Sequence, residues 1–212
     1  MGRSSRSDGG TDAPPYRRSR PRCPYHLATR TMGATLPIID IPTLRTARLV
    51  LRAFNADDLD AYAAMQANPE VMRYLGTGNT QSRAATWAAM AGGLGQWALR
   101  GYGSFAIEEA ATGQFVGRAG ILQPYDWPGP ELAYALDQPF WGRGYAPEAC
   151  GAVLDWAHNR AGLAGLVSFI FPANERSKGV VRKLGAERGS DVTLLGFEGV
   201  ECWHHPDSPG AP

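Results

Sequence analysis

The order of apolar and polar positions predicts that strands and helices alternate through the body of the chain. ARLVLRAF (47–54) alternates apolar and polar residues, which predicts a strand with one buried face. NADDLDAYAAMQAN (55–68) places the N-cap residue Asn55 before acidic residues in the first turn, which predicts a helix. A second helix is predicted over residues 80–100.

The second half of the chain adds a hairpin and further alternating elements. YGSFAIEE and QFVGRAGIL, joined by the turn AATG, are typical of a β-hairpin over 102–122. ELAYAL (131–136) predicts the next strand, and apolar residues at helical spacing predict a helix over 147–161. The apolar run GLVSFIF (165–171) indicates a central strand, and NERSKGVVRKLG (174–185) a short helix before further β structure. The predicted order is β-α-α-β-β-β-α-β-α-β, an α/β (α+β) fold.

The first 40 residues differ from the rest in composition. They are rich in Ser, Gly, Pro and Arg and hold almost no apolar run, so we predict a disordered basic N-terminal extension over 1–40. The folded domain is predicted over 41–205, with a flexible C-terminal tail over 206–212. One interpretation of the extension is a basic arm for RNA or ribosomes. The other is a flexible leader, or a gene start placed too early, with Met32 as the true beginning. Its scattered charge favours the leader.

Charge and cysteine usage disfavour several classes of protein. Residues 1–31 carry a net charge of +5 and the remainder −4, so the folded part gives no strong nucleic-acid signal. The sequence has no run of about 18 apolar residues, and we predict no membrane span. Three widely spaced cysteines favour a reducing, cytoplasmic location over a disulfide framework. ECWHHP has no second Cys/His pair at zinc spacing, so we predict no metal site.

QPFWGRGYAPEA (138–149) is the strongest candidate for ligand binding. Gly142 and Gly144 let the backbone adopt positive φ and approach a ligand closely. Pro147 suits the first turn of the following helix, whose N-terminus attracts anions, and Arg143 adds a full positive charge. The turn therefore predicts a pyrophosphate cradle, with a plain connector between strand and helix as the alternative.

The two common nucleotide motifs do not match this turn. A P-loop needs G-x-x-x-x-G-K-[ST], and the only lysines of the chain are Lys178 and Lys183. A dinucleotide fingerprint needs a third glycine where Pro147 stands, and an acidic residue for the ribose, which is absent between Asp155 and Glu175. The cradle therefore suits a carrier whose phosphates only anchor it.

NERSKGVVRKLG forms the second candidate stretch. Asn174 is a natural N-cap, and Ser177, Val181 and Leu184 fall on one helical face, so we expect Ser177 to face the body. The alternative is that Asn174 only caps the helix and Ser177 is an ordinary small residue.

ELAYALDQPFWGRGYAPEA, followed by NERSKGVVRKLG and preceded by TLRTARLVLRAFNADDLDAYAAM, resembles the Gcn5-related N-acetyltransferase (GNAT) superfamily. More narrowly, it is similar to the RimJ/RimL-type branch, which includes ribosomal-protein N-terminal acetyltransferases. The resemblance covers roughly residues 41–205. It implies a mixed, mainly antiparallel sheet, flanked by helices, that splays between ELAYAL and LVSFIF around acetyl-CoA.

The resemblance also implies roles for individual residues, with acetyl-CoA as cosubstrate and no metal. The backbone N–H groups of one segment would hold the pyrophosphate: Gly142, Arg143, Gly144, Tyr145 and Ala146. The pantetheine arm would pair like a strand with Tyr134, Ala135 and Leu136, and Asn174 would lie near the pantetheine and the thiol.

Direct acetyl transfer to an amine needs a neutral amine and a stabilised leaving thiolate. Glu131 is the candidate base, directly or through a water, and a solvated strand-end carboxylate is the alternative. Many relatives use a tyrosine in the helix after the asparagine to protonate the thiolate; this sequence has none there, and Ser177, which resembles the serine of the branch, is the candidate acid.

The predicted activity is N-acetylation of a protein N-terminal α-amino group or of a small-molecule amine. An α-amino group, with a pKa of about 8 against about 10.4 for lysine, needs less help from a base. The alternative is a non-catalytic acyl-CoA-binding or sensing module. The sequence leaves open the acceptor and the oligomeric state, a homodimer included.

Overall fold

A mixed sheet of eight strands organises the part of the chain that the computed structural model describes, residues 39–207. The strands are β1 Leu44–Arg45, β2 Leu49–Arg52, β3 Ser104–Glu109, β4 Phe115–Leu122, β5 Glu131–Leu136, β6 Val167–Ile170, β7 Glu187–Leu194 and β8 Phe197–His204. The helices are α1 Leu59–Gln66, α2 Pro69–Met72, α3 Arg83–Arg100, α4 Tyr145–Asn159 and α5 Glu175–Lys183. The predicted extension, except residues 39 and 40, and most of the predicted tail lie outside the described residues.

The strand order β1-β2-β3-β4-β5-β6-β8-β7 is antiparallel at every neighbouring pair except β5 and β6, which are parallel. That parallel pairing consists of one register pair, Glu131 with Val167. Next to it, the Ser168 hydroxyl donates to the Leu132 carbonyl oxygen at 2.8 Å, where a continued sheet would have a backbone bond. The two strands therefore separate beyond their first residues, and the predicted mixed, mainly antiparallel sheet with a splay at this point is confirmed.

Helices cover both faces of the sheet, and the alternation along β3 shows how the apolar residues divide. Phe105 and Ile107 belong to the core that packs against α4, with Val153 among its fully buried residues. Ala106, between them in sequence, belongs to the core under α1, α2 and the first half of α3, to which Met90 contributes. Successive side chains of a strand point to opposite faces, so this division follows from the sequence pattern.

The predicted elements are present, with differences at their ends. Asn55 forms the predicted cap: its side chain accepts from Asp57 N–H while the Asp58 carboxylate accepts from Asn55 N–H. The first turn is a 3-10 turn, and α1 ends at Gln66. Two features were not predicted: the two-residue strand β1, and the short helix α2, which restarts the chain with Asn68 as its cap and Pro69 in its first turn.

Candidate active site

The splay between β5 and β6 opens a cleft of about 840 Å³. Its walls come from β5, the turn before α4, one side of α5 and the segment around α2. Most of the predicted site residues line it: Tyr134, Ala135, Leu136, Gly142, Gly144, Tyr145, Ala146, Asn174 and Ser177. Two predicted site residues do not line the cleft. Arg143 lies between the lining residues Gly142 and Gly144, and Glu131 is the first residue of β5.

The edge of β5 that faces the cleft carries backbone groups at alternate residues. On this edge the Pro130 carbonyl accepts from Val167 N–H at 3.1 Å and the Leu132 carbonyl accepts from Ser168. Because alternate residues of a strand direct their peptide groups to the same edge, those of Tyr134 and Leu136 also point toward the cleft. The Leu136 carbonyl accepts from the indole N–H of Trp141 at 2.7 Å, which leaves Tyr134 as the centre of the open edge.

The glycine turn has the backbone conformation that the sequence predicts. Gly142 and Gly144 have φ of 74° and 79°, and Gly144 is the N-cap of α4. Arg48, the residue before β2, stabilises the turn. Its guanidinium donates to the Arg143 carbonyl at 2.8 Å and pairs with Glu148 at 2.5 Å. A Cβ on Gly144 would lie 3.3 Å from that guanidinium. The turn is therefore held open at the start of a 15-residue helix.

Glu109 holds the side chains that flank the turn. It accepts from the Tyr145 hydroxyl at 2.6 Å, and the Arg143 guanidinium lies 3.8 Å from it. The hydrogen bond from Tyr145, followed by that from Thr112, lowers the pKa of Glu109, with a smaller contribution from Arg143. The half-exposed Arg143 also packs over the Phe140 ring at 5.2 Å, so its charge stands beside the turn.

The N-terminus of α5 forms the opposite wall. Asn174 caps the helix by accepting from Ser177 N–H at 3.2 Å. The Tyr134 hydroxyl crosses from β5 and donates to the Ser177 carbonyl oxygen at 3.2 Å. Lys178, which is 7% exposed, ties the helix to β8 through Glu201 at 3.0 Å. Ser177 is half-buried on the cleft wall, as its position on the helix predicts.

Glu131 is buried rather than solvated, with 9% of its surface exposed. Its carboxylate accepts from the indole N–H of Trp127 at 2.8 Å. Burial raises the pKa of Glu131 to about 7, and the Trp127 hydrogen bond and the positive charge of Arg118 partly offset that rise. A carboxyl group with such a pKa can exchange a proton near neutral pH.

Three side chains of the cleft were not assigned by the sequence. The Arg176 guanidinium lies 4.5 Å from the centre of the Trp141 ring, so it joins α5 to the turn before α4. Tyr134 was assigned a role only through its backbone, yet its hydroxyl reaches the start of α5. No motif signals either contact, because each joins residues more than thirty positions apart in the chain.

Among residues 39–207, no three His, Cys, Asp or Glu side chains are placed so that they could hold a metal ion. None of the helices in the described part of the chain combines the length and apolar character needed to cross a membrane.

Comparisons with known proteins agree with this arrangement. Residues 48–187 match the family model described as an acetyltransferase (GNAT) domain. The crystal structure of an acetyltransferase from Agrobacterium tumefaciens str. C58 is 32% identical with a TM-score of 0.71, covering 79% of this chain and 95% of that one. The uncharacterized N-acetyltransferase YoaA of Bacillus subtilis (strain 168) is 29% identical over 152 residues, which are 69% of this chain and 84% of YoaA.

The ribosomal L7/L12 α-N-protein acetyltransferase RimL, in complex with coenzyme A, shares the fold at 18% identity and a TM-score of 0.65. That alignment covers 77% of this chain and 96% of RimL. The family match spans the glycine turn, β5 and α5 alike. The chain therefore belongs to the GNAT acetyltransferase family and is an acetyl-CoA-dependent N-acetyltransferase.

Proposed function

We propose that acetyl-CoA lies in the cleft between β5 and β6 and that its acetyl group passes directly to a primary amine. The acceptor is a protein N-terminal α-amino group or a small-molecule amine. The observation that carries this proposal is that the positive-φ glycine turn at the start of α4 and the open edge of β5 border the same cleft.

The donor is held by backbone groups. N–H groups of 142–146, at the positive end of α4, bind the pyrophosphate, and Arg143 beside them adds charge. The pantetheine arm then runs along β5 and pairs with the peptide groups of Tyr134, the open centre of that edge. Because Trp141 occupies the Leu136 carbonyl, pairing at Leu136 is left to its N–H group. The RimL structure that shares this fold contains coenzyme A, which supports a donor of this kind.

Glu131 acts as the base. Its pKa of about 7 lies close to the ordinary pKa of about 8 for an α-amino group, so the carboxylate can take the proton that the amine loses as the new bond forms. The indole N–H of Trp127 donates to this carboxylate at 2.8 Å and so fixes its position. No covalent enzyme intermediate is needed.

The leaving thiolate is stabilised at the start of α5. The helix N-terminus, Asn174, the Ser177 hydroxyl and the Tyr134 hydroxyl all border the cleft there. Burial raises the pKa of Tyr134 above its ordinary value, so this phenol stays protonated and offers a hydrogen bond. Ser177 remains the candidate acid, and Tyr134 becomes a second donor to the same sulfur only when its hydroxyl turns away from the Ser177 carbonyl oxygen.

A screen of primary amines and N-terminal peptides with acetyl-CoA, read as release of free thiol, tests this function. We expect release with at least one amine, and none from Gly144→Trp, whose new ring fills the cradle. If acetyl-CoA raises the melting temperature but no amine releases thiol, the chain is the non-catalytic acyl-CoA-binding module. A cytoplasmic location and a homodimer remain predictions that need separate measurements.

A further inference from the structure

A second cavity, of about 210 Å³, adjoins the donor cleft. Leu75, in the segment after α2, lines both spaces. Gln66, Met72, Thr77 and Gln81 also line the smaller cavity, and Arg118 of β4 contributes its charged side chain. The cavity therefore lies between the N-terminal helices and the sheet, next to the expected path of the donor.

The strand register links this cavity to the candidate base. Arg118 pairs with Ala135, and Leu122 pairs with Glu131, so Gly120 and Ala133 form the pair between them. Alternate residues of a strand share a face, which places Arg118 and Glu131 on the same face of the sheet. The intervening pair carries at most a methyl group. The guanidinium and the carboxylate therefore project from the same face, and β4 and β5 place no large side chain between them.

The charge of Arg118 is not neutralised by direct contact. Its half-buried side chain forms no ion pair or hydrogen bond with any side chain in the range 39–207. Arg52 of β2 shows the contrast. It lies on the same face, separated from Arg118 by Ala106 of β3, and it pairs with Asp58 and Glu108 at 2.7 Å each. A partly buried guanidinium without such partners has several N–H donors available, and a carboxylate fits them in pairs.

The cavity also lacks an acidic lining residue within the described part of the chain. A polyamine would place cationic groups near Arg118 with nothing of opposite charge to receive them. Gln66, Thr77 and Gln81 offer neutral hydrogen-bonding groups, and the volume suits a group of a few heavy atoms. Charge and size together select a small anionic group.

Building on the proposed acetyl transfer, we propose that the acceptor is an amine that carries a carboxylate, and that Arg118 binds this carboxylate. The amine then lies toward Glu131. Its nitrogen lone pair forms the C–N bond, the C–S bond breaks with its electron pair passing to sulfur, and the amine proton passes to Glu131. Two sources share this chemistry: a free amino acid, and a peptide whose first residues include Asp or Glu.

The test compares each carboxylate with its uncharged amide. Free amino acids are paired with amino-acid amides, peptides that begin with Asp or Glu with their Asn or Gln counterparts, and a polyamine completes the panel. We expect the wild-type kcat/KM to be about 10–100-fold higher for the carboxylate than for the amide in at least one pair. This ratio corresponds to the contribution of one hydrogen bond to a charged group. Which pair shows the preference identifies the source.

Variants at position 118 assign that preference to the guanidinium. Arg118→Gln should remove this preference and leave the KM for acetyl-CoA unchanged. Because the charge of Arg118 also lowers the pKa of Glu131, the variant should slow acids and amides alike at neutral pH, and the ratio of their kcat/KM values is the readout. Arg118→Lys should retain part of the preference, and Arg118→Glu should reverse it toward the polyamine. Arg160→Gln removes the same charge from an exposed position at the end of α4 and should change nothing.

The remaining outcomes separate this inference from the proposed function. Equal use of acids and amides, or a preference that survives Arg118→Gln, overturns the inference while acetyl transfer stands. If no amine releases thiol, calorimetry of the same amino-carboxylates with the CoA-loaded protein decides. Binding that Arg118→Gln abolishes supports the site although the proposed function has failed, and absence of binding overturns both.

Discussion

Glu131 shows how burial of one carboxyl group sets the pH dependence of both rate and stability. Its pKa is raised to about 7, so in the proposed role of base it is active only above that pH, and we expect kcat/KM to rise through about pH 7. Glu131→Gln should lower kcat by about 10²–10⁴-fold and remove this limb of the pH profile. Measured profiles of the two proteins, with acetyl-CoA affinity as the control, check this. A retained limb in the variant would assign the ionisation to another group.

The same shift has a definite sign in stability. Between about 4.5 and 7 the native protein binds the Glu131 proton more tightly than the unfolded chain does. The contribution of this group to the free energy of unfolding therefore falls as pH rises through that window. Glu131→Gln should flatten the dependence, which urea titrations at several pH values measure.

Substitution can separate the proposed contributions of Tyr134 and Ser177 to stabilising the thiolate. The Tyr134 hydroxyl donates to the Ser177 carbonyl, so Tyr134→Phe removes the phenol and leaves the serine hydroxyl in place. If Ser177 is the acid, Ser177→Ala should lower kcat more than it changes acetyl-CoA affinity, and Tyr134→Phe should have the smaller effect. Single-turnover rates of both variants and of the double variant check this. Unchanged turnover in Ser177→Ala would remove the serine from the mechanism.

At the scale of elements, the turn before α4 is where sequence and structure agree most closely. Two glycines around an arginine, followed by a proline, predicted positive φ and a helix start, and the backbone has both. The contact between Trp141 and Arg176 was not predictable, because it depends on how α5 stands relative to the turn. A local backbone conformation is predictable from the residues next to it in the sequence, whereas a contact across the cleft is not.

Substitution of Gly144 by alanine separates backbone strain from ligand binding. A side chain at φ 79° costs about 1–2 kcal/mol, and its Cβ would also press on Arg48 at 3.3 Å. We expect Gly144→Ala to lose stability and, in addition, affinity for coenzyme A, as measured by calorimetry.

Gly162 provides the matched control, since its φ is 65° and a Cβ there would meet nothing within 4 Å. Gly162→Ala should show a similar loss of stability with unchanged affinity. Equal affinity in both variants would mean that the turn at Gly144 does not hold the donor.

At the scale of the whole molecule, alternation and helical spacing predicted the order of the main elements but not the sheet's strand order. The splay between β5 and β6 was predicted only through the family resemblance. No local sequence signal indicates that the Ser168 hydroxyl takes the place of a backbone hydrogen bond to the Leu132 carbonyl. Arg118 was missed for a related reason: only the register of β4 on β5 places it on the face of Glu131. Cross-strand placement is a property of the assembled sheet, and one strand's sequence does not contain it.

The splayed sheet predicts where coenzyme A should stabilise the molecule. A ligand at 100 times its Kd adds about 2.7 kcal/mol to the free energy of unfolding, which for a domain of this size raises the melting temperature by roughly 5–10 °C. Hydrogen exchange should slow most in β5, in residues 142–146 and in α5, the elements that border the cleft, and least in the hairpin of β7 and β8, which contributes no residue to it. Gly144→Trp should abolish both effects. Protection spread evenly over the sheet, or centred on the hairpin, would place the ligand outside the cleft, because a molecule wedged between two diverging strands orders those strands first.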